Sequence, residues 1–94
     1  MPITIKGTQY PIKPTMWALL QFKRERGLLV SEMKANDIEE MLFYTWLCVK
    51  GACLQAGRTF DLSFDYYLTY VEGDPTEALM EEKLDDIKKK MESR

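Results

Sequence analysis

The side chains best suited to chemistry in this 94-residue chain are two cysteines, a pair of spaced aspartates and a short run of bases. Cys48 and Cys53 are five positions apart. On one helix that spacing separates their Cα atoms by about 8.6 Å, beyond disulfide reach, so both read as reduced core thiols. Neither sits in the Cys-x-x-Cys spacing of a metal or redox site. Histidine is absent, which removes the commonest general base and the commonest transition-metal ligand together. Asp61 and Asp65 could form a metal or acid/base pair, but the neighbouring Ser63 marks a helix entry that explains them better. The five glycines are scattered, most at turn and cap positions, and form no phosphate-cradling loop. The expectation is a chain that is not an enzyme and takes no metal and no cofactor.

The basic run is Lys23, Arg24 and Arg26. Beside Trp17 and Phe22 it could touch phosphates and stack on bases, which keeps a nucleic-acid role as an alternative. It also falls in the last turn of a helix, where the helix dipole favours cations. Thirteen bases against fifteen acids leave a net charge of −2, which argues against a general affinity for polyanions. The charge is unevenly divided: residues 1–34 carry +4 and residues 35–94 carry −6. That division suits either complementarity within one chain or a contact between copies, with Lys23, Arg24 and Arg26 as candidate self-association residues.

The elements that must position these residues follow from periodicity and caps. Ile3-Thr4-Ile5-Lys6 alternates apolar and polar, Gly7-Thr8 offers a turn, and Gln9-Tyr10-Pro11-Ile12 returns, giving a short hairpin over 3–12. Pro11 and Pro14 confine the second strand to an edge. Thr15 caps a first helix of about eleven residues that Gly27 ends. After a connector, Asn36 or Asp37 caps a long second helix that closes before Gly57. Its apolar residues spread nearly all round, which predicts burial on several sides. Ser63 caps a short third helix running through Val71 to Gly73, and Asp74-Pro75 starts a fourth that reaches about Glu92. On the fourth, Met80, Leu84, Ile87 and Met91 are spaced four, three and four apart. That is a narrow seam suited to packing on another helix, and these four are the candidate partner-binding residues.

The fold class expected is therefore mainly α: a small helical domain of about four helices with a short N-terminal β-hairpin. It divides into a hairpin over 3–12, a helical core over 15–73 and a C-terminal helix over 74–94, all one domain at this length. Trp17, Leu20, Phe22, Leu42, Trp46, Val49, Phe64 and Leu68 are the expected core. No signal-peptide pattern and no apolar run of 18 residues is present, so the expected setting is the cytoplasm, away from membranes.

Thr15-Met16-Trp17-Ala18-Leu19-Leu20-Gln21-Phe22-Lys23-Arg24-Glu25-Arg26-Gly27 follows the hairpin, and an acid-capped apolar helix, Phe60-Asp61-Leu62-Ser63 and Phe64 through Glu72 come after it. This order resembles the small tail assembly chaperones of long-tailed, siphovirus-like bacteriophages and prophages. The resemblance covers roughly residues 3–73 and rests on a Thr-x-x-Ala-Leu-x-x-Phe-x-x-x-x-Gly arrangement. Lys23 stands where many members carry an acid. The resemblance implies a mainly helical, non-catalytic protein of the infected bacterial cell that covers the helical tape-measure protein and is absent from the finished virion. It also implies self-association and, in several relatives, a frameshifted longer form that recruits tail tube subunits. The alternative is a small phage-encoded regulatory or nucleic-acid-associated module using the basic end of the first helix.

Overall fold

The computed structural model describes residues 2–34 and 37–80. A three-stranded antiparallel sheet, β1 (Ile3–Ile5), β2 (Thr8–Tyr10) and β3 (Val71–Glu72), has the order β2-β1-β3. Helices α1 (Met16–Arg26), α2 (Ile38–Gln55) and α3 (Phe64–Tyr70) follow the hairpin, with a 3₁₀ turn at Val30–Glu32 between the first two. Residues 75–80 begin a further helix, here α4. The mainly α class with an N-terminal hairpin is thus the architecture observed.

Local chemistry sets most of the boundaries. The Oγ1 of Thr15 accepts the Ala18 amide at 3.0 Å, and Gly27 ends α1 in the left-handed region at φ 72°. Ser63 accepts the Tyr66 amide at 3.1 Å, and the Asp74 carboxylate accepts the Thr76 amide at 3.0 Å ahead of Pro75. Asp37 occupies the N-cap position of α2, but its carboxylate turns back to accept the Lys34 amide at 3.1 Å instead of capping the helix.

The hairpin turn differs from expectation. Lys6 and Gly7 form the two-residue loop, with φ of 48° and 81°, while Thr8 already pairs with Ile5. Two successive positive φ values match the twist of the strands, and only the glycine adopts one without steric cost. The end of α3 is a second correction. The helix stops at Tyr70, and Val71–Glu72 becomes the strand β3 beside β1. A β-branched residue finds a better partner in the open edge of β1 than in another helical turn. The contact is reinforced where the Lys6 amide donates to the Tyr70 carbonyl at 3.1 Å and the Gly7 amide to Glu72 Oε2 at 3.0 Å.

The core gathers around α2, whose buried positions run from Phe43 to Cys53 with few breaks. Ile3, Ile5 and Ile12 cover it from the hairpin side, Ala18 and Phe22 from α1, and Tyr67 from α3. Phe22 and Val49 are fully buried as expected, and Trp17, Leu42, Trp46 and Phe64 are half-buried. Leu20 and Leu68 are not core residues, being 52% and 40% exposed. The cause is a close helix approach. A Cβ on Gly51 would stand 2.6 Å from Thr15 Oγ1 and 3.3 Å from the Trp17 ring, so the start of α1 lies hard against α2 there. Thr15, Ala18 and Phe22 form the inner line, which sends Met16, Leu19 and Leu20 outward. In the short α3 the inner positions go to Phe64 and Tyr67, and Leu68 falls beyond them.

Candidate docking groove

The outward face of α1 becomes one wall of a groove of about 580 Å³. Leu19 supplies that wall, Leu29 and Val30 of the 3₁₀ turn the next, and Leu79 and Met80 of α4 the third. Pro14 and the buried Tyr44 of α2 complete the lining, the Tyr44 ring edge-on to Phe22 at 5.7 Å. A local hydrogen bond stands at the start of each wall. Thr15 fixes the rotation of α1, Glu32 accepts the Leu29 amide at 2.7 Å to hold the 3₁₀ turn, and Asp74-Pro75 sets where α4 starts. The walls remain open to solvent: Leu19 is 40%, Leu29 47% and Met80 61% exposed. Clustered exposed apolar side chains of this size are uncommon on the free surface of a small domain.

The groove has little chemistry beyond apolar contact. Among the described residues that line it Tyr44 is the ionisable one, and burial with the neighbouring Cys48 pushes that phenol up, so it stays neutral. Cys48 itself is fully buried and its thiol is pushed up to about 12 by desolvation, partly opposed by a hydrogen bond with Tyr44. Burial also raises the thiol of Cys53, with Arg58 opposing. Both cysteines are free and buried, which keeps nucleophilic thiolate out of reach at neutral pH. Asp65 lies in the first turn of α3 and its carbonyl accepts the Thr69 hydroxyl at 2.8 Å. Among the described residues, no three His, Cys, Asp or Glu side chains are close enough together to hold a metal ion. Nor is any helix among them long and apolar enough to cross a membrane.

Of the seam residues, Met80 stands in the groove wall, while Leu84, Ile87 and Met91 lie outside the described residues. The basic run divides. Arg26 folds back onto its own chain, 3.1 Å from Glu40 and with its guanidinium 4.2 Å above the Phe43 ring. Part of the charge asymmetry is therefore met within one molecule. Lys23 and Arg24 are exposed, and neither is among the residues that line the groove. Phe22, one of the aromatics adjacent to this run, is fully buried and has no face to offer a base. Trp17 packs toward Gly51, on the side of α1 facing α2.

Sequence reading missed the groove because its walls come from three separate segments. The one available signal was the Met16, Leu19, Leu20 stripe, which marks an amphipathic face without saying whether that face turns in or out. Comparison with family models, curated proteins and solved structures finds no match to this chain.

Proposed function

We propose that this chain is a non-catalytic tail assembly chaperone of a long-tailed bacteriophage or prophage, and that it takes an apolar helical stripe of the tape-measure protein into the groove. The observation that carries this reading is the groove itself, an open apolar channel between α1, the 3₁₀ turn and α4. A tape-measure chain presents apolar helical stripes that aggregate when exposed, and a helix laid in a groove is the common way to cover such a stripe. Each leucine-sized anchor buried there contributes about 1.5–3 kcal/mol before the costs of association. One small groove holds weakly, so several copies along one client gain from effective concentration. Met80, in the groove wall, and Leu84, Ile87 and Met91, which share its spacing in the sequence, are the candidate contacts beyond it. In this reading the protein works in the cytoplasm of the bacterial host, self-associates, reaches tail tube subunits through an extended form, and is absent from the mature virion.

The experiment is co-expression with the tape-measure protein encoded beside it. Wild type should keep that protein soluble, whereas Leu19→Glu and the double change Leu84→Asp with Ile87→Asp should each reduce its recovery while leaving the chaperone folded. If the wild-type chain leaves the tape-measure protein insoluble, the reading is wrong.

A further inference from the structure

We infer that the hairpin turn sets the position of the groove's third wall, with Glu72 as the positioning residue that ties α4 to the turn. The inference deepens the proposed function and rests on reading the groove as the binding site. The described part of α4, residues 75–80, has little packing of its own. Pro75 and Ala78 are buried and both are small, Leu79 is half-buried, and Met80 on the groove wall is 61% exposed. So little buried apolar surface holds that segment weakly, and the chain before it must supply the rest.

The chain before it is β3, separated from the Asp74 cap by Gly73 alone. Gly73 stands at φ 79° with no atom within 4 Å of where a Cβ would lie, so the joint itself is unpacked. The support comes from the strand and from the hairpin turn beside it. Val71 pairs with Ile5 and Glu72 with Thr4. The turn then grips the same segment with three further groups. The Lys6 amide donates to the Tyr70 carbonyl at 3.1 Å, the Gly7 amide donates to Glu72 Oε2 at 3.0 Å, and the Lys6 ammonium lies 4.7 Å from the centre of the Tyr70 ring. Of these contacts the Glu72 carboxylate is nearest the joint, so it governs the direction in which the chain leaves the sheet. Without it a two-residue strand frays from its end, and α4 turns with it. Leu79 and Met80 then move, while Leu19 and Val30 stay with α1 and the 3₁₀ turn, and the groove loses its fixed width.

Two nitroxide labels on the full-length chain, at Arg24→Cys on α1 and Glu77→Cys on α4, read the wall's position with no client present. Both sites are exposed, and the buried Cys48 and Cys53 stay out of reach of the label. The distance between the labels should be single and narrow in the labelled parent. Glu72→Ala should broaden it roughly twofold or more with unchanged circular dichroism. Glu72→Gln, which keeps an acceptor for the Gly7 amide, should restore the narrow distance. Should Glu72→Ala perturb the fold, Glu72→Thr, suited to a strand but too short to reach that amide, serves in its place. A broad distance in the parent overturns the inference, as does a distance indifferent to the loss of the carboxylate. Glutamine behaving like alanine overturns the role of Glu72. If wild type fails to hold the tape-measure protein on co-expression, the proposed function falls while the distances still decide this inference.

Discussion

The hydroxyls of Thr45 and Tyr67 meet at 2.9 Å in the centre of the core, joining α2 to α3. Thr45 also lies 2.7 Å from the Leu42 carbonyl, which can only accept, so the one threonine proton goes there and Tyr67 is the donor between the hydroxyls. The two residues are therefore unequal. Tyr67→Phe deletes a donor and leaves Thr45 still bonded to Leu42, costing about 1 kcal/mol, or about 4–8 °C in Tm for a domain of this size. Thr45→Val strands the tyrosine hydroxyl in the core and should cost more, about 1–3 kcal/mol. Thermal melts of both single variants and the double should show that order, with the double less destabilised than the sum of the two.

Alkaline pH should unfold this protein early. Cys48, with an ordinary thiol value of 9.0, is held up at about 12 in the folded state by burial. Between those values the unfolded chain gives up a proton that the folded chain keeps. Folding then binds more protons than unfolding, and stability falls as pH rises. Below 9 the contribution is fully present. The buried Tyr67 and Tyr44 phenols, also raised by desolvation, add to the slope from about pH 10 upward. Urea midpoints should be flat from pH 7 to 8.5 and drop steadily from 9 to 11. Cys48→Ala should lower the neutral midpoint but flatten the alkaline decline.

At Gly51 helix propensity and packing make opposite predictions. Alanine is favoured over glycine in a helix interior by about 1 kcal/mol. The new methyl would nevertheless press on the Thr15 hydroxyl that caps α1, and the backbone behind it cannot yield as a flexible side-chain tip would. Overpacking of this kind costs about 1–3 kcal/mol, so Gly51→Ala should lower the urea midpoint. Thr15→Ala together with Gly51→Ala should recover part of the loss.

That same contact explains how far the sequence could be read. Caps are local: Thr15, Ser63 and Asp74 mark their helices correctly because each side chain accepts a backbone amide two or three residues on, and Gly27 because its own amide bonds the Lys23 carbonyl in the left-handed region. Helix orientation is not local. Hydrophobicity alone favours burying Leu19 and Leu20, and it is the absent Cβ of Gly51, on a helix distant in sequence, that lets Thr15 and Trp17 approach α2 so closely. Strand β3 was invisible for a similar reason: two residues carry no period, and Val71 reads equally well as the last turn of α3. The groove inherits both uncertainties, since one wall is the misjudged face of α1 and another begins just after β3.

The outward turn of α1 has a measurable signature. Leu20→Gln should change stability by no more than about 0.5 kcal/mol, as surface substitutions do, whereas the same change at a buried leucine position costs several times that. Phe22→Ala, two positions on, should cost about 3–5 kcal/mol. Chemical denaturation of the pair distinguishes the two faces of one helix.

The sheet order also imposes a schedule. β1 is the first strand made and the middle strand of the finished sheet, and its partner Val71 comes 66 residues after Ile5. At about 5–20 residues per second of synthesis, β1 has only the hairpin to lean on for seconds while its second edge waits for a strand not yet built. The sheet therefore acts as a latch, shut when Val71 and Glu72 reach the hairpin turn. Until then the three isoleucines that roof α2 have no settled place, and the N-terminal segment is the part of the chain most open to pairing with the wrong neighbour.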